Sequence, residues 1–395
     1  MKERLRFDRN ELAGAFGDVG TDLPLLAGMI MAARLDPAAV FAVFGLLQIL
    51  TGLAYGLPMP MQPLKAMAVL VITQRIAGPV LMGGGLAIGL IMLALTLSGL
   101  LRTLARLVPT SVVRGIQFGL GLSLASLALR TYIPAEGAAG WALAGAGLLV
   151  MAALWGSRRL PPGLLVIGLG LAFALWRGLD LGLVARGAAL HLPTLRLPLG
   201  GEIWAGLLLL ALPQLPLSLA NSVIATEQTA RDLFPRRAPA LGKIGLTYAL
   251  VNLTAPLLGG VPACHGCGGL AGHHAFGART GGSVVIYGSF FLIVGLCFSG
   301  PLQELLKVFP LPILGAVLLL EALALLTLVR DQMARPRDLS IALLTGVIAL
   351  CVPQGFGVGL LVGLLLHYGF RRFGRTEAGE GRAGDAKRST KEAAS

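Results

Sequence analysis

The sequence predicts an all-α polytopic membrane protein with about fourteen transmembrane segments. These form two inverted seven-segment repeats, with short strand–half-helix pieces as segments 3 and 10. Three observations lead there. The chain of 395 residues is 55% hydrophobic and only 13% charged, where a soluble domain carries about 25% charge. Apolar runs of membrane length recur from end to end. Two stretches broken by Pro and Gly stand at matching places in the two halves, a pattern that marks the binding sites of secondary transporters.

The broken stretches carry the most information. Residues 261–280, VPACHGCGGLAGHHAFGART, lie between long apolar runs but hold Pro262, Gly266, Gly268 and Gly269. They predict an extended strand feeding a short helix at membrane depth. Such backbone is tolerated there only against protein or an aqueous cavity. Residues 57–68, LPMPMQPLKAMA, have the same character in the first half. Each follows another odd segment, 11–26 and 212–232. Asp18 precedes Gln62 by 44 positions, and Asn221 precedes His265 by the same 44.

In chain order, residues 1–10 are basic and predict a cytoplasmic N-terminus; no cleavable signal peptide is expected. Spans one and two cover about 11–33 and 38–56, and the broken segment three about 58–74. Span four (about 79–99) precedes Arg102 and Arg106. Span five (about 107–129) carries Arg114 near its start. Span six (about 138–155) ends at Arg158 and Arg159, and span seven covers about 161–177. A connector at 178–201, with Arg186, His191 and Arg196, closes the first repeat, assigned to 1–190. The second repeat, 191–370, holds spans eight (202–229) and nine (240–258), broken segment ten, and spans eleven (281–299) and twelve (302–329). Two short spans at 338–352 and 355–370 complete it. The tail, 371–395, is polar and predicted to be disordered and cytoplasmic.

The basic residues test this layout. With the N-terminus inside, 23 of the 32 Lys and Arg residues fall on the cytoplasmic side, seven of them in the tail. An even number of spans returns the C-terminus to that side, and an odd repeat unit inverts the second half. The net charge of +13 therefore sets orientation, and no nucleic-acid partner is expected. Cys264, Cys267, Cys297 and Cys351 lie in or beside apolar stretches, which argues against a disulfide framework. A lone CxxC pair is weak evidence for metal or redox chemistry.

The stretches AFGDVGTDLPL, MPMQPLKAMAVL, LANSVIATEQTARDLFP and PACHGCGGLAGHHAFGART resemble the signatures of the molybdate transporter family. That family is related to sulfate permeases and, more distantly, to uracil/xanthine permeases. The resemblance covers about residues 10–370 and implies a core domain (about 11–99 and 202–299) and a gate domain (about 100–177 and 302–370). It also implies a substrate site between segments 3 and 10, lined by segments 1 and 8. A cytoplasmic regulatory domain, usual in sulfate permeases, is not expected in the short tail.

A tetrahedral oxyanion needs dense hydrogen-bond donation without permanent trapping, which helix N-termini supply. The second repeat would offer His265, Gly266, Cys267 and Gly268, with Cys264 and Gly269 beside them; the first would offer Gln62 and Lys65. Gln62 could donate to the anion or cap a Pro-broken turn. Lys65, costly inside a membrane, could supply charge or pair with an acid such as Asp18 or Glu227. Asp18, Thr21 and Asp22 are candidates for coupling or gating, Asp18 equally for capping a half-helix. Asn221 and Ser222 could donate to the anion or satisfy a kink. Glu227 is the proton-linked acid the resemblance favours, with Gln228 as a polar alternative. His265 could donate and titrate, or be a satisfied buried histidine. His273 and His274 are expected at an intracellular rim, and Arg114 is expected to snorkel.

The expected function is import of molybdate, with sulfate as a further candidate substrate, across the cytoplasmic (inner) membrane, coupled to protons, with core moving against gate. No cofactor is expected, membrane lipid is the surrounding partner, and a homodimer is left open. The alternatives are a proton-coupled permease for sulfate, another small anion or a nucleobase; an intramembrane metal-dependent enzyme using Cys264, His265, Cys267, His273 and His274; and a channel or scaffold. Absence of a GxxxxGK[ST] stretch leaves direct ATP drive unsupported.

Overall fold

A computed structural model describes residues 5–154, 162–179, 182, 189–193, 197–298, 305 and 308–370. Arg158, Arg159, Arg186, Arg196 and the tail at 371–395 lie outside the described residues. Among the described residues, seven helices are long and apolar enough to cross a membrane. Shorter apolar helices, Lys65–Gln74, Gly163–Trp176, Gly282–Cys297 and Gly355–Phe370, accompany them.

Helix α1 (Arg9–Ala15) starts under the Asp8 carboxylate, which accepts from the N–H groups of Asn10 and Glu11. The chain unwinds at Phe16–Asp18 and resumes as α2 (Val19–Ala33). A Cβ on Gly17 would sit 2.7 Å from the backbone of Gly272, so the break lies directly on the second broken segment. Helix α3 (Pro37–Tyr55) is capped by Asp36 and ends at Gly56 with φ 63°. Strand β1 (Met61–Pro63), half-helix α4 (Lys65–Gln74) and α5 (Gly78–Leu97) follow. Between spans four and five, a short amphipathic helix, α6 (Leu100–Leu107), forms. It buries Leu101 and leaves Arg102 exposed. Helix α7 (Thr110–Leu127) runs through a wide turn at Ala128–Tyr132 towards α8 (Gly137–Ala153), and α9 (Pro162–Trp176) ends the half.

In the second half, α10 (Gly200–Leu233) is continuous where α1–α2 is broken. It absorbs Pro213 and Pro216 through wide π turns at Leu207–Ala211 and Ser218–Ala225. Each proline removes an N–H and displaces a carbonyl, and the π turns re-pair the freed groups. Then come α11 (Leu241–Thr254), strand β2 (Ala263–His265), half-helix α12 (Cys267–Ala275) and α13 (Gly282–Cys297). Span twelve was expected at 302–329; residues 301–304, 306 and 307 lie outside the described residues, Leu305 and Val308 are helical, and past Pro310, a residue suited to a helix start, α14 (Leu311–Thr327) follows. Helices α15 (Pro336–Cys351) and α16 (Gly355–Phe370) meet at Gln354, which has φ 55°.

The two halves meet at the strands. β1 and β2 pair antiparallel, with Met61 opposite His265, Gln62 opposite Cys264 and Pro63 opposite Ala263. Two short strands leave their outer edges unpaired inside the bundle, and side-chain amides close them. Gln48 on α3 donates to the Met61 carbonyl (2.7 Å) and accepts from the Met61 N–H (2.8 Å). Asn252 on α11 does the same for Ala263, at 2.6 and 3.0 Å. An unpaired backbone group in a membrane interior costs several kcal/mol or so, which explains these polar residues in apolar helices. Around the strands, α3 packs on α13 so closely that a Cβ on Gly45 would lie 2.5 Å from the Gly288 carbonyl oxygen. Phe44, Tyr287 and Phe291 fill the space beside that contact edge to face. A second group of helices forms where α7 packs on α14 and α15.

Candidate functional site

The two half-helices begin at opposite ends of the strand pair. The register pairs Gln62 with Cys264, so α4 starts at Lys65 just beyond the Pro63–Ala263 end and α12 at Cys267 just beyond the Met61–His265 end. The 44-residue spacing puts Gln62 and His265 at corresponding points of the two repeats, one residue off the strand pairing. That slip of one residue matters, because adjacent strand residues face opposite ways. Gln62 and Cys264 share one face of the strand pair. His265 lies on the other, where its Nε2 meets the hydroxyls of Thr247 (2.8 Å) and Tyr55 (3.3 Å). His265 is therefore a buried strut behind the strand, away from the helix starts.

The starts differ in what closes them. At α4, the N–H groups of Ala66 and Met67 donate to Oε1 of Gln214 from α10, at 2.9 and 3.1 Å. At α12 the preceding residue is Gly266, so no side chain of its own caps the helix. Gly268, in the first turn, is exposed, and a Cβ there would meet no atom within 4 Å. Of the two bare amide ends the sequence suggested, one is occupied and one is open. The glycines on either side have the contrary job: a Cβ on Gly266 would strike Oε1 of Gln62, and one on Gly269 would lie 2.5 Å from Oδ2 of Asp18.

Around the open start stand the charges. Asp18, buried at the break between α1 and α2, accepts from Nε2 of Gln62 with both oxygens, at 2.8 and 2.7 Å. Lys65 is also buried, and its Nζ is paired with Oε1 of Glu321 on α14. Thr21 donates to the other Glu321 oxygen at 3.2 Å. Asp18 and Cys267 lie within electrostatic reach of the same ammonium. On the other flank, Asn221 accepts at Oδ1 from the Cys267 thiol (3.2 Å) and from Nε2 of Gln117 on α7 (3.1 Å). Arg114 continues the chain, donating to Gln117 (2.9 Å) and to Asp331 (2.7 Å). Arg114 is thus an ion-paired link rather than a side chain snorkelling to an interface.

Lys65–Glu321 and Asn221–Gln117 are two polar bridges, each joining a helix of the strand-bearing group to a helix of the second group. Neither Glu321 nor Gln117 was singled out from the sequence. The signal was present for Glu321, the lone acid in the apolar run LPILGAVLLLEALALLTL. Several named residues lie elsewhere. Ser222 contacts the Cys264 thiol. Asp22 accepts from Tyr287 at 3.0 Å, facing α13. Glu227 pairs with Arg231 one turn along, and exposed Gln228 donates to Asp232. His273 meets the Ser283 hydroxyl at 3.2 Å, and His274 meets the Phe234 ring edge to face. Among the described residues no three His, Cys, Asp or Glu side chains converge to hold a metal.

The family model described as "Molybdate transporter of MFS superfamily" matches residues 10–124 and 206–325. Molybdate transporter 1 of Arabidopsis thaliana is 31% identical over 414 residues, 93% of this chain and 90% of the relative. Molybdate transporter 1 of Chlamydomonas reinhardtii is 30% identical, covering 90% of each. The chain belongs to the molybdate transporter family.

Its fold is shared more widely. The transmembrane domain of BicA, a cyanobacterial bicarbonate transporter, superposes with a TM-score of 0.61 at 16% identity, over 91% of this chain and 96% of that one. The murine Slc26a9 anion transporter in its inward-facing state superposes with a TM-score of 0.67 at 13% identity, over 92% and 68%. The molybdate transporter family member therefore shares the fold of these proteins, an inverted-repeat architecture with antiparallel strand–half-helix segments. Family and fold are those of multi-pass membrane transporters, not enzymes.

Proposed function

We propose that this protein is a secondary transporter that imports molybdate across the cytoplasmic membrane, with sulfate as a competing substrate, coupled to protons. Both termini lie on the cytoplasmic side. The anion sits against the open start of α12, with Gly268 and Cys267 presenting backbone, Gln62 and Asn221 at its sides, and Lys65 supplying charge. The helices of the strand-bearing group (about 11–99 and 202–299) act as a core, and those at about 100–177 and 302–370 as a gate.

The observation that carries this reading is the ion pair between Lys65 and Glu321 beside an uncapped helix start. Lys65 is a buried cation next to a ready-made anion site, held by a carboxylate from the other helix group. An entering oxyanion competes with Glu321 for that ammonium and so loosens the core from the gate. The charge count favours proton coupling. Lys65 faces two carboxylates, Asp18 and Glu321. A divalent anion added to that set is repelled unless a carboxylate takes up a proton or swings away.

The test is equilibrium binding of labelled molybdate to purified protein, with sulfate and uracil as competitors and pH varied. The reading expects saturable binding displaced by sulfate and not by uracil, and clear loss in Q62A or N221A. Displacement by uracil alone would favour the nucleobase reading.

A further inference from the structure

A second cluster of cations lies away from the strands and belongs to no part of the transport argument. Arg236, Arg237 and Lys243 line one cavity of about 230 Å³ with Ala54, Tyr55 and Gly56 at the end of α3. None of the described residues lining it is acidic. Lys243 donates to the Ala54 carbonyl at 2.8 Å and lies 4.5 Å from the centre of the Tyr55 ring. Arg237 donates to the Arg279 carbonyl at 2.9 Å and stacks on Phe234. Two of the three cations are thus fixed by neutral groups, which position charge without neutralising it. Like charges gathered round one hollow repel, and an anion in the hollow removes that cost.

What surrounds the cavity selects the kind of anion. Leu50 and Leu53 on α3, and Leu246 and Leu250 on α11, are exposed within two turns of the lining residues Ala54 and Lys243. In a membrane those leucines face hydrocarbon. The basic hollow therefore stands at the foot of an apolar surface, which suits a molecule with an anionic head and an acyl tail. Orientation of the protein by basic loops explains charge on this side. It does not explain three cations on one cavity.

We propose that this cavity binds the phosphate headgroup of an anionic phospholipid, with an acyl chain along the exposed leucines of α3 and α11. The site has a route to the protein's centre. The Lys243 carbonyl accepts from Thr247 at 3.0 Å and Tyr55 at 3.4 Å, and both hydroxyls meet His265 on β2. A lipid that orders Lys243 and Tyr55 would thereby stiffen the strand beneath the open helix start. The proposal stands whether or not the substrate is molybdate.

The experiment compares wild type, R236Q/R237Q and R102Q/R106Q in nanodiscs of phosphatidylcholine with increasing phosphatidylglycerol. Arg102 and Arg106 make a matched control: exposed cations whose helix packs Leu101 near Gly245 of α11, outside the cavity. Native mass spectrometry reads retained lipid and thermal unfolding reads stability. Wild type and the control should retain phosphatidylglycerol and gain several degrees in Tm at saturation, while R236Q/R237Q loses at least fivefold in occupancy. Equal loss in the control would reduce the effect to general surface charge and overturn the proposal. An equal Tm gain from inorganic phosphate in detergent would replace the lipid with a small-ion site. Should R236Q/R237Q fail to fold, the wild-type titration decides alone: a gain in Tm that does not saturate rejects a discrete site.

Discussion

Glu321→Gln is the most informative single change, because it should strengthen one function and weaken another. Lys65 and Glu321 form an ion pair whose side chains are 7% and 19% exposed. Removing one partner of a fully buried pair costs about 3–5 kcal/mol. Glutamine keeps one of the two oxygens that Lys65 and Thr21 now share between them, and Glu321 is partly solvated, so the stability loss should be smaller, about 1–3 kcal/mol. Binding should move the other way. The variant frees Lys65 from its charged competitor, and a charge-assisted hydrogen bond contributes about 1.5–3 kcal/mol. Molybdate should therefore bind about 10- to 100-fold more tightly. Turnover should fall, since Glu321 is the group that reclaims Lys65 and helps release the anion. The assay is Kd on purified protein beside initial flux into proteoliposomes. Weaker binding in E321Q, in step with K65M, would refute the competition and leave Glu321 as a positioning group for Lys65.

Other substitutions test other parts. G268A should fold as wild type, because its Cβ meets no protein atom, yet lose at least about tenfold in molybdate affinity by filling the cavity; unchanged affinity would place the anion elsewhere. G266A drives a Cβ into Gln62 and should show a clear drop in Tm together with the binding loss. Q214A uncaps Ala66 and Met67 and should cost about 1–2 kcal/mol in thermal or denaturant unfolding, with little effect on affinity. N252L strips both edge bonds from Ala263 and should destabilise by about 2–3 kcal/mol, whereas N252Q should recover part of that loss.

The large features of this protein were written in its pattern of apolar runs, prolines and glycines. Interruptions in the first half and at 261–280 did become strands feeding half-helices, because Pro60, Pro63 and Pro262 forbid helix and the following apolar residues allow it. Less was legible where two remote segments meet. The equal 44-residue spacings marked corresponding points of the two repeats but carried no strand register, and only the pairing of Gln62 with Cys264 shows that His265 faces the other way. Gln214 lies far from α4 in sequence, so its occupation of that helix start left no local trace. Gln48 and Asn252 look like stray polar residues until the strand edges they close are seen. Glu321 was readable as a lone membrane acid and Lys65 as a membrane cation, but their pairing was not, since only packing brings α14 to α4.

The most direct measurement is the position of molybdenum in the bound protein, located by anomalous scattering from crystals grown with molybdate. The account places the metal beside Gly268 at the start of α12, within reach of Lys65 and Gln62, with Glu321 turned away from the ammonium. Molybdenum found outside that region, with Lys65 and Glu321 still paired, would contradict it.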